Sequence, residues 1–506
     1  MIMHPSRYLF FACLGFIGGV GAQSVFLFSD MVPLMGFAAA AACAMYAFRQ
    51  KRFLVHAFVL GAFCAGAAIY GDAHAAWLGQ RVVFLALSEK KYATVHATVA
   101  SRESLAGAKR YVLERIISED DGAPLPRMRL HLVDVGAHAY IPGDRIIIRN
   151  ARFDTTEAFT PFLKRDGVAG AIAFPKELAL EEKTCAEHRW SVSCFSYAFT
   201  AALTQAREVF ERSLRASLSE PYSALADGLL LGGRTNLSAD VKESFRYLGL
   251  SHIVAVSGYN ITILVLAVST LLGFFAVSRR ASFWIASVFL ALFALLTGGS
   301  ASVVRASVMG FLVILAQHAS RMYSARIAIA LAGTLMLFQN PFLLRYDAGF
   351  VLSFLATAGL LVFYPLLEER AKHLPKLGPV KEVVLQTLSA QAFVLPVLIF
   401  AFGSVPLLFL VSNMLVLPAI PPTMFFAFVG GVAGFFGETA GRVAMLPAYA
   451  LLAWELGVVD VLAKIPHAQA LIISPFLRWV FSIGVGACVG LVTWKLRLYR
   501  YSTKRP

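Results

Sequence analysis

Residues 229–266 read LLLGGRTNLSADVKESFRYLGLSHIVAVSGYNITILVL. Leu237, Val241, Phe245 and Leu248 recur at helical spacing among polar residues, which predicts a short amphipathic helix. Ser251 and His252 follow, then the apolar IVAV, then Ser257, Gly258, Tyr259 and Asn260 at the mouth of a long apolar run. Polar side chains inside a membrane are costly unless they face protein or water. Gly258 in their midst marks a chain break or a close helix contact. Ser251, His252, Ser257, Gly258 and Asn260 therefore line a wet cavity or form a polar helix–helix seam, and the residues alone do not choose between these.

The rest of the chain supports a membrane setting. Its 506 residues are 58% hydrophobic and only 15% charged, against about 45–50% and about 25% in soluble domains. Many apolar runs reach about 20 residues, the length that crosses a hydrocarbon core. A soluble enzyme, a disordered chain and a disulfide-stapled secreted domain are excluded. Three spans are predicted near 8–28, 31–48 and 53–71, the first too long for a signal segment and so retained. Further spans are expected near 253–275, 282–298, 301–319, 325–339, 348–366, 383–402 and 475–495, with one or two more in the proline-interrupted 405–437, about 10–12 in all. Residues 446–463 read as an amphipathic segment at the outer surface. Basic clusters at Arg49–Arg52, Arg279–Arg280, Arg321–Arg326, Arg370–Lys381 and the C-terminal tail fall on one side when crossings alternate. Positive charge stays cytoplasmic, so both termini are expected inside.

Residues 90–196 differ. Short runs such as YATVHATV, MRLHLVDV and DRIIIRN alternate with period two and are separated by turn chemistry. They predict a small extracytoplasmic β-barrel, OB-like, inserted into a polytopic α-helical membrane protein. Residues 200–219 carry an apolar helical stripe of Leu203, Ala206, Val209, Phe210, Leu214 and Leu218. That helix lies flat at the membrane interface or packs on the soluble domain. The expected organisation is thus N-terminal membrane helices at 1–75, the β-domain at 90–196, the amphipathic helix at 200–219 and a membrane domain at 222–497.

The net charge of +15 fits basic cytoplasmic loops and also a path for a polyanion. Arg305, Arg345 and Asn413 lie in or beside apolar runs, and Arg234 precedes the quoted signature helix. Each arginine lines such a path or snorkels to the interface; Asp347 is placed to pair with Arg345. In the β-domain, Arg127, Arg129, Arg145, Arg149 and Arg152 with Tyr92, Tyr111 and Phe153 offer a cationic, aromatic face for single-stranded nucleic acid, or a merely solvated one. Arg127 shares a face with Arg129, and Arg145 with Arg149.

No phosphate-binding Gly-Lys loop, HExxH motif or paired-cysteine metal site is present. His131, Asp134 and His138 are close in sequence, but on a strand 131 and 134 point to opposite faces. Ser251–His252 lacks an orienting carboxylate nearby, which disfavours hydrolase chemistry. No enzyme activity, cofactor or metal is therefore expected. Of six cysteines, Cys185 and Cys194 stand in a polar stretch where a disulfide would close a short loop if the loop is outside the cell; spacing does not decide whether it forms.

LGLSHIVAVSGYNITIL resembles the signature of the ComEC family, the inner-membrane DNA channel of natural transformation. RASVM at 305–309, FQNPFLLRYDAGFVLSFLATAGL at 338–360 and LPVLIFAFGSVPLLFLVSNMLVLP at 395–418 resemble further family stretches in the expected order. PGDRIIIRNARF resembles the end of the family's extracellular OB-like domain. The resemblance implies passage of a single DNA strand into the cytoplasm across the bilayer, with an external DNA receptor and a cytoplasmic helicase-like motor; strand degradation would need a separate nuclease, and the sequence leaves open whether the protein acts alone or as a homo-oligomer. Two departures stand out. No HxHxDH of the β-lactamase-like domain found in many members occurs, so nuclease activity is not expected. The usual histidine of the signature is Asn260, which cannot titrate. The alternatives are a small-solute transporter or membrane enzyme on the same scaffold, or a non-catalytic assembly factor. A proton-coupled transporter needs acids within spans, and Asp347 is the one the sequence offers.

Overall fold

The computed structural model describes residues 5–27, 29, 31–33, 35–36, 38–40, 54–88, 93–105, 108–119, 128–135, 140–156, 160–173, 175, 177–183, 192–232, 237–254, 258–320, 322–373 and 379–502. Among these, nine helices are long and apolar enough to cross a membrane. The chain divides into two compact units, Met1–Glu208 with Ala330–Ala348, and Val209–Ile329 with Gly349–Pro506.

In the first unit the Pro5–Phe26 helix packs along the Leu54–Ser88 helix. The second of these is 35 residues long, well beyond the span expected near 53–71. The reason lies at its C-terminal end, where Phe84 and Leu87 enter the core of a β-domain beside Val95, Leu113, Leu130, Ile146 and Ile172. A Cβ at Gly170 would fall inside the Phe84 ring, so only glycine admits that ring. Trp77 Nε1 donates to Val168 O at 3.0 Å and Arg81 Nη1 to Ala169 O at 2.8 Å. The helix thus both lies in an apolar pair and stoppers the sheet.

The sheet has seven strands: β1 Ala93–Leu105, β2 Ala108–Ser118, β3 Leu130–Asp134, β4 Asp144–Ala151, β5 Phe153–Asp154, β6 Gly170–Ala173 and β7 Glu177–Lys183. Their order is β5-β6-β3-β2-β1-β4-β7. All pairs are antiparallel except β3–β6. Strands β4 and β5 are separated only by Arg152, yet β4 pairs with β1 and β7 while β5 pairs with β6. One bent strand therefore joins one end of the sheet to the strand next to its other end, which curls it. In β2 the buried positions change parity, from Tyr111 and Leu113 to Ile116 and Ser118. Arg115, at φ 53°, is the extra residue of a bulge opposite the His96–Thr98 segment of β1.

The Val192–Ser217 helix contains the predicted amphipathic stretch. Within the first unit Tyr197 Oη donates to Glu114 and Arg102 pairs with Glu208. Within the second, Phe210 meets Phe428 and Phe435 at ring distances of 6.1 and 6.2 Å, and Ser213 Oγ donates to Gly431 O at 2.7 Å. Packing against protein therefore engages this helix along both parts.

The second unit is mainly helical, with one short antiparallel strand pair, Ser404–Pro406 with Gln469–Leu471. The proline-interrupted region forms Phe409–Val416, a tight turn at Leu417–Ala419, and Ile420–Ala433. Residues 446–463, expected at the outer surface, belong instead to the 26-residue helix Glu438–Ala463. That helix is apolar enough to cross a membrane and packs on Ile420–Ala433. Met445, Ala448, Leu452 and Val459 place its buried stripe in a core shared with Leu225, Leu229, Phe245 and Met424.

Candidate functional site

The signature segment folds as two pieces. Ala239–Tyr247 is the predicted amphipathic helix, capped by Ser238, whose Oγ accepts from Val241 N at 3.4 Å. Ser251 and His252 lie in an exposed turn rather than on the following helix, and the His252 Nδ1 is 3.2 Å from Gly249 O. The helix itself starts at Gly258 and runs to Phe274. Ser257 and Arg234 lie outside the described residues.

Three helices meet at Arg305, which sits in the second turn of Ala301–His318 and is 7% exposed. Its Nε donates to Ser353 Oγ at 2.9 Å and its Nη1 to Thr357 Oγ1 at 2.6 Å, both on Ala348–Val362. The Phe354 ring lies 5.8 Å from the guanidinium carbon. The Nη2 points at Gly258. Among the described residues Arg305 forms no ion pair and its Nη2 has no hydrogen-bond partner. A buried cation is normally neutralised by an anion. Here two hydroxyls orient it and a positive charge with unspent donors is left facing the start of the signature helix.

The other polar candidates in this unit turn to backbone. Asn260 Nδ2 donates to Leu229 O at 3.0 Å and is buried. Asn413 Nδ2 donates to Phe409 O of its own helix at 2.6 Å, and neighbouring Ser412 Oγ to Leu248 O at 2.9 Å. Asn260 and Ser412 thus tie their helices to neighbouring segments, whereas the Asn413 bond stays within its own helix. Two cavities of about 420 and 300 Å³ are lined by other residues, the larger by Phe393, Pro396 and Trp494 and the smaller by Arg279, Gln317 and His318.

Arg345 and Asp347 belong to the first unit. Arg345 Nη1 donates to Ser24 O and its guanidinium stands 5.6 Å from the Tyr346 ring. Asp347 is half-buried and ends the short Leu343–Tyr346 helix. Lys164, 4.4 Å from the Trp77 ring, completes a cationic, aromatic patch with Tyr346 in the same unit.

In the β-domain, Arg129, Arg149 and Arg152 are exposed. Arg145 and Arg149 share the outward face of β4, as expected, with Ile146 and Ile148 inward. Across the ladder, however, they stand opposite Glu182 and Glu177 of β7. Arg129 is 3.8 Å from Glu114. The acids of β7 partly neutralise this face. Tyr111 is a correction: it is 0% exposed and packs edge-on against Tyr140 at 5.9 Å, so no face remains for a base to stack on. Phe153 packs against the core as well. Tyr92, Arg127, His138 and Cys185, with its pairing to Cys194, lie outside the described residues. His131 Nε2 stands 3.6 Å from Asp166, and no cluster of three metal-ligating side chains occurs among the described residues.

Two buried acids escaped sequence reasoning. Asp227 lies in the Tyr222–Leu231 helix, which is buried at every residue after Tyr222, and Glu455 lies in Glu438–Ala463 at 1% exposure. The signal for Glu455 is its place on the stripe formed by Met445, Ala448, Leu452 and Val459.

The model of the Competence protein family matches residues 229–497, more than half of the chain. The chain belongs to that competence family. It is similar to ComE operon protein 3 of Bacillus subtilis (strain 168), with 25% identity over 279 residues. The match covers 53% of this chain and 34% of the relative, about a third of that protein's length. No solved structure matches. In this competence protein the family region holds the signature segment, Arg305 with its two hydroxyls, Asn413, and Arg345 with Asp347. The β-domain precedes it.

Proposed function

We propose that this protein conducts a single strand of DNA through the bacterial cytoplasmic membrane during natural transformation. Family membership and the many membrane-length helices support a role in DNA uptake. The observation that carries the channel reading is Arg305, a desolvated guanidinium with no anion beside it among the described residues, aimed at the signature helix. A phosphate is the partner such a fork of donors suits. In this reading the β-domain stands outside, both termini are cytoplasmic, and a motor, an external receptor and a nuclease are separate proteins. The chain itself has no nuclease, ATPase or hydrolase chemistry. The topology of the β-domain, with a meander β1–β3, the parallel β3–β6 pair and the bent β4–β5 strand, is read as an OB-like barrel.

Replacement of Arg305 separates this from the alternatives. In R305Q strains, labelled DNA is expected to bind the cell surface at the wild-type level while DNA entry falls at least about tenfold, the factor set by 1.4 kcal/mol; R305K is expected to keep part of it. Normal uptake in R305Q with normal protein level would refute the channel role and leave an assembly factor. Transport of a small solute abolished by the same change, with DNA entry intact, would favour a transporter.

A further inference from the structure

Glu455 sits in the core of the second unit, distant in role from the Arg305 site. Its Oε1 is 2.7 Å from Thr423 Oγ1. Thr423 Oγ1 is also 2.8 Å from Ala419 O, one helical turn back. A threonine hydroxyl has one proton and two lone pairs. It cannot donate to both oxygens. In a helix the hydroxyl characteristically returns to the carbonyl four residues earlier, which is Ala419 O. The contact with Glu455 then needs a proton from the carboxyl group.

We propose that Glu455 is held as a neutral carboxylic acid, its Oε1–H donating to Thr423 Oγ1 and the Thr423 hydroxyl donating to Ala419 O. The helix bundle thereby contains a binding site whose ligand is a proton. The chain Glu455 Oε1–H, Thr423 Oγ1–H, Ala419 O satisfies both short contacts, whereas an ionised Glu455 leaves one of them without a proton.

The surroundings agree. Glu455 Oε2 has no hydrogen-bond partner among the described residues, a modest penalty for a carbonyl oxygen and a severe one for a carboxylate. The packed helices Phe409–Val416 and Ile420–Ala433 carry no titratable side chain. Tyr222–Leu231 brings Tyr222 and Asp227, neither of them a cation. Ala239–Tyr247 brings Asp240, Lys242, Glu243, Arg246 and Tyr247; Arg246 turns to Glu243 at 3.8 Å. On its own helix, Arg442 pairs with Glu438 at 2.5 Å, and Asp460 pairs with Lys464 at 2.6 Å. Among the described residues no cation pairs with Glu455.

Infrared spectra of the full-length protein in lipid nanodiscs at neutral pH test it. A carboxylic-acid carbonyl band is expected in the wild type and is lost in E455Q. In T423V the band persists and moves to higher frequency, because the acid loses its acceptor. The E455Q protein should unfold near the wild-type temperature, since the amide N–H supplies the same donor to Thr423, and E455A at a lower one. A wild-type spectrum in which E455Q removes a carboxylate band instead overturns the proposal. So does an acid band that T423V leaves unmoved, which decides the matter even if E455Q fails to fold.

Discussion

The Nη2 of Arg305 lies 2.9 Å from the position a β-carbon on Gly258 would take. The signature glycine and the buried arginine are therefore one device. Gly258 keeps the space that lets the guanidinium reach Ser353 and Thr357 while its last nitrogen faces the helix start.

Gly258→Ala is expected to push the guanidinium off its hydroxyls. One lost hydrogen bond to a charged group costs about 1.5–3 kcal/mol. Transformation frequency should fall with the protein still present in the membrane, and Gly258→Val should be worse. Gly273→Ala is the control, since nothing lies within 4 Å of its added carbon. Equal effects of the two alanines, measured with matched protein levels, would break the link between Gly258 and Arg305.

Gly170→Ala should destabilise the β-domain by about 1–3 kcal/mol, the usual cost of overpacking, because its methyl group meets the Phe84 ring. Phe84→Ala alone should also destabilise, by leaving a cavity. The double variant should lose less than the sum of the two. Protease resistance of the β-domain in the full-length protein measures each corner of that cycle, and strict additivity would show that the two side chains do not compete for space.

For nucleic acid, Arg129, Arg149 and Arg152 replaced together by alanine should weaken binding of single-stranded DNA to the full-length protein. Its salt slope should become shallower by about 0.7 for each phosphate that is no longer neutralised. Tyr111→Phe should leave binding unchanged, because the ring is in the core. A titration with labelled oligonucleotide at several salt concentrations reads both.

The β-domain should lose stability in mild acid. Burial holds the His131 imidazole below its ordinary pKa, outweighing the pull of Asp166, while Arg110 and Arg165 push the same way as burial. The unfolded chain therefore takes up a proton below about pH 6.5 that the folded domain resists. Stability is full above that pH and falls as pH drops through it. Thermal unfolding between pH 5 and 8 should show this slope in the wild type and less of it in His131→Gln.

Much of this architecture is legible in the sequence because membrane spans and strands impose periods on it. The runs at 8–28, 282–298 and 301–319 lie close to Pro5–Phe26, Arg279–Leu296 and Ala301–His318. Alternation places Arg145 and Arg149 on one face correctly. What alternation does not carry is which face closes on a core. Tyr111 reads as available for stacking, and only the curl of the sheet and the ring of Tyr140 bury it. Bulges such as that at Arg115 also change parity without a signal in composition. Segment 446–463 reads as amphipathic because Glu455 and Asp460 are both acids. Asp460 is exposed and paired with Lys464, whereas Glu455 lies on the apolar stripe. Charge alone does not distinguish them; phase along the helix does. Nor does Asn260 declare whether it walls a cavity or ties Leu229 to the next helix, since one amide serves either purpose.

The Leu54–Ser88 helix is about 52 Å long at 1.5 Å per residue, against a hydrocarbon thickness of about 30 Å. Lodged at one end in the sheet and paired lower down with a partner rod, it acts as a mast. With no joint between sail and hull, a sideways tug on the β-domain becomes a lean of the N-terminal helical pair, and the height at which the domain rides above the lipid is set by a count of residues.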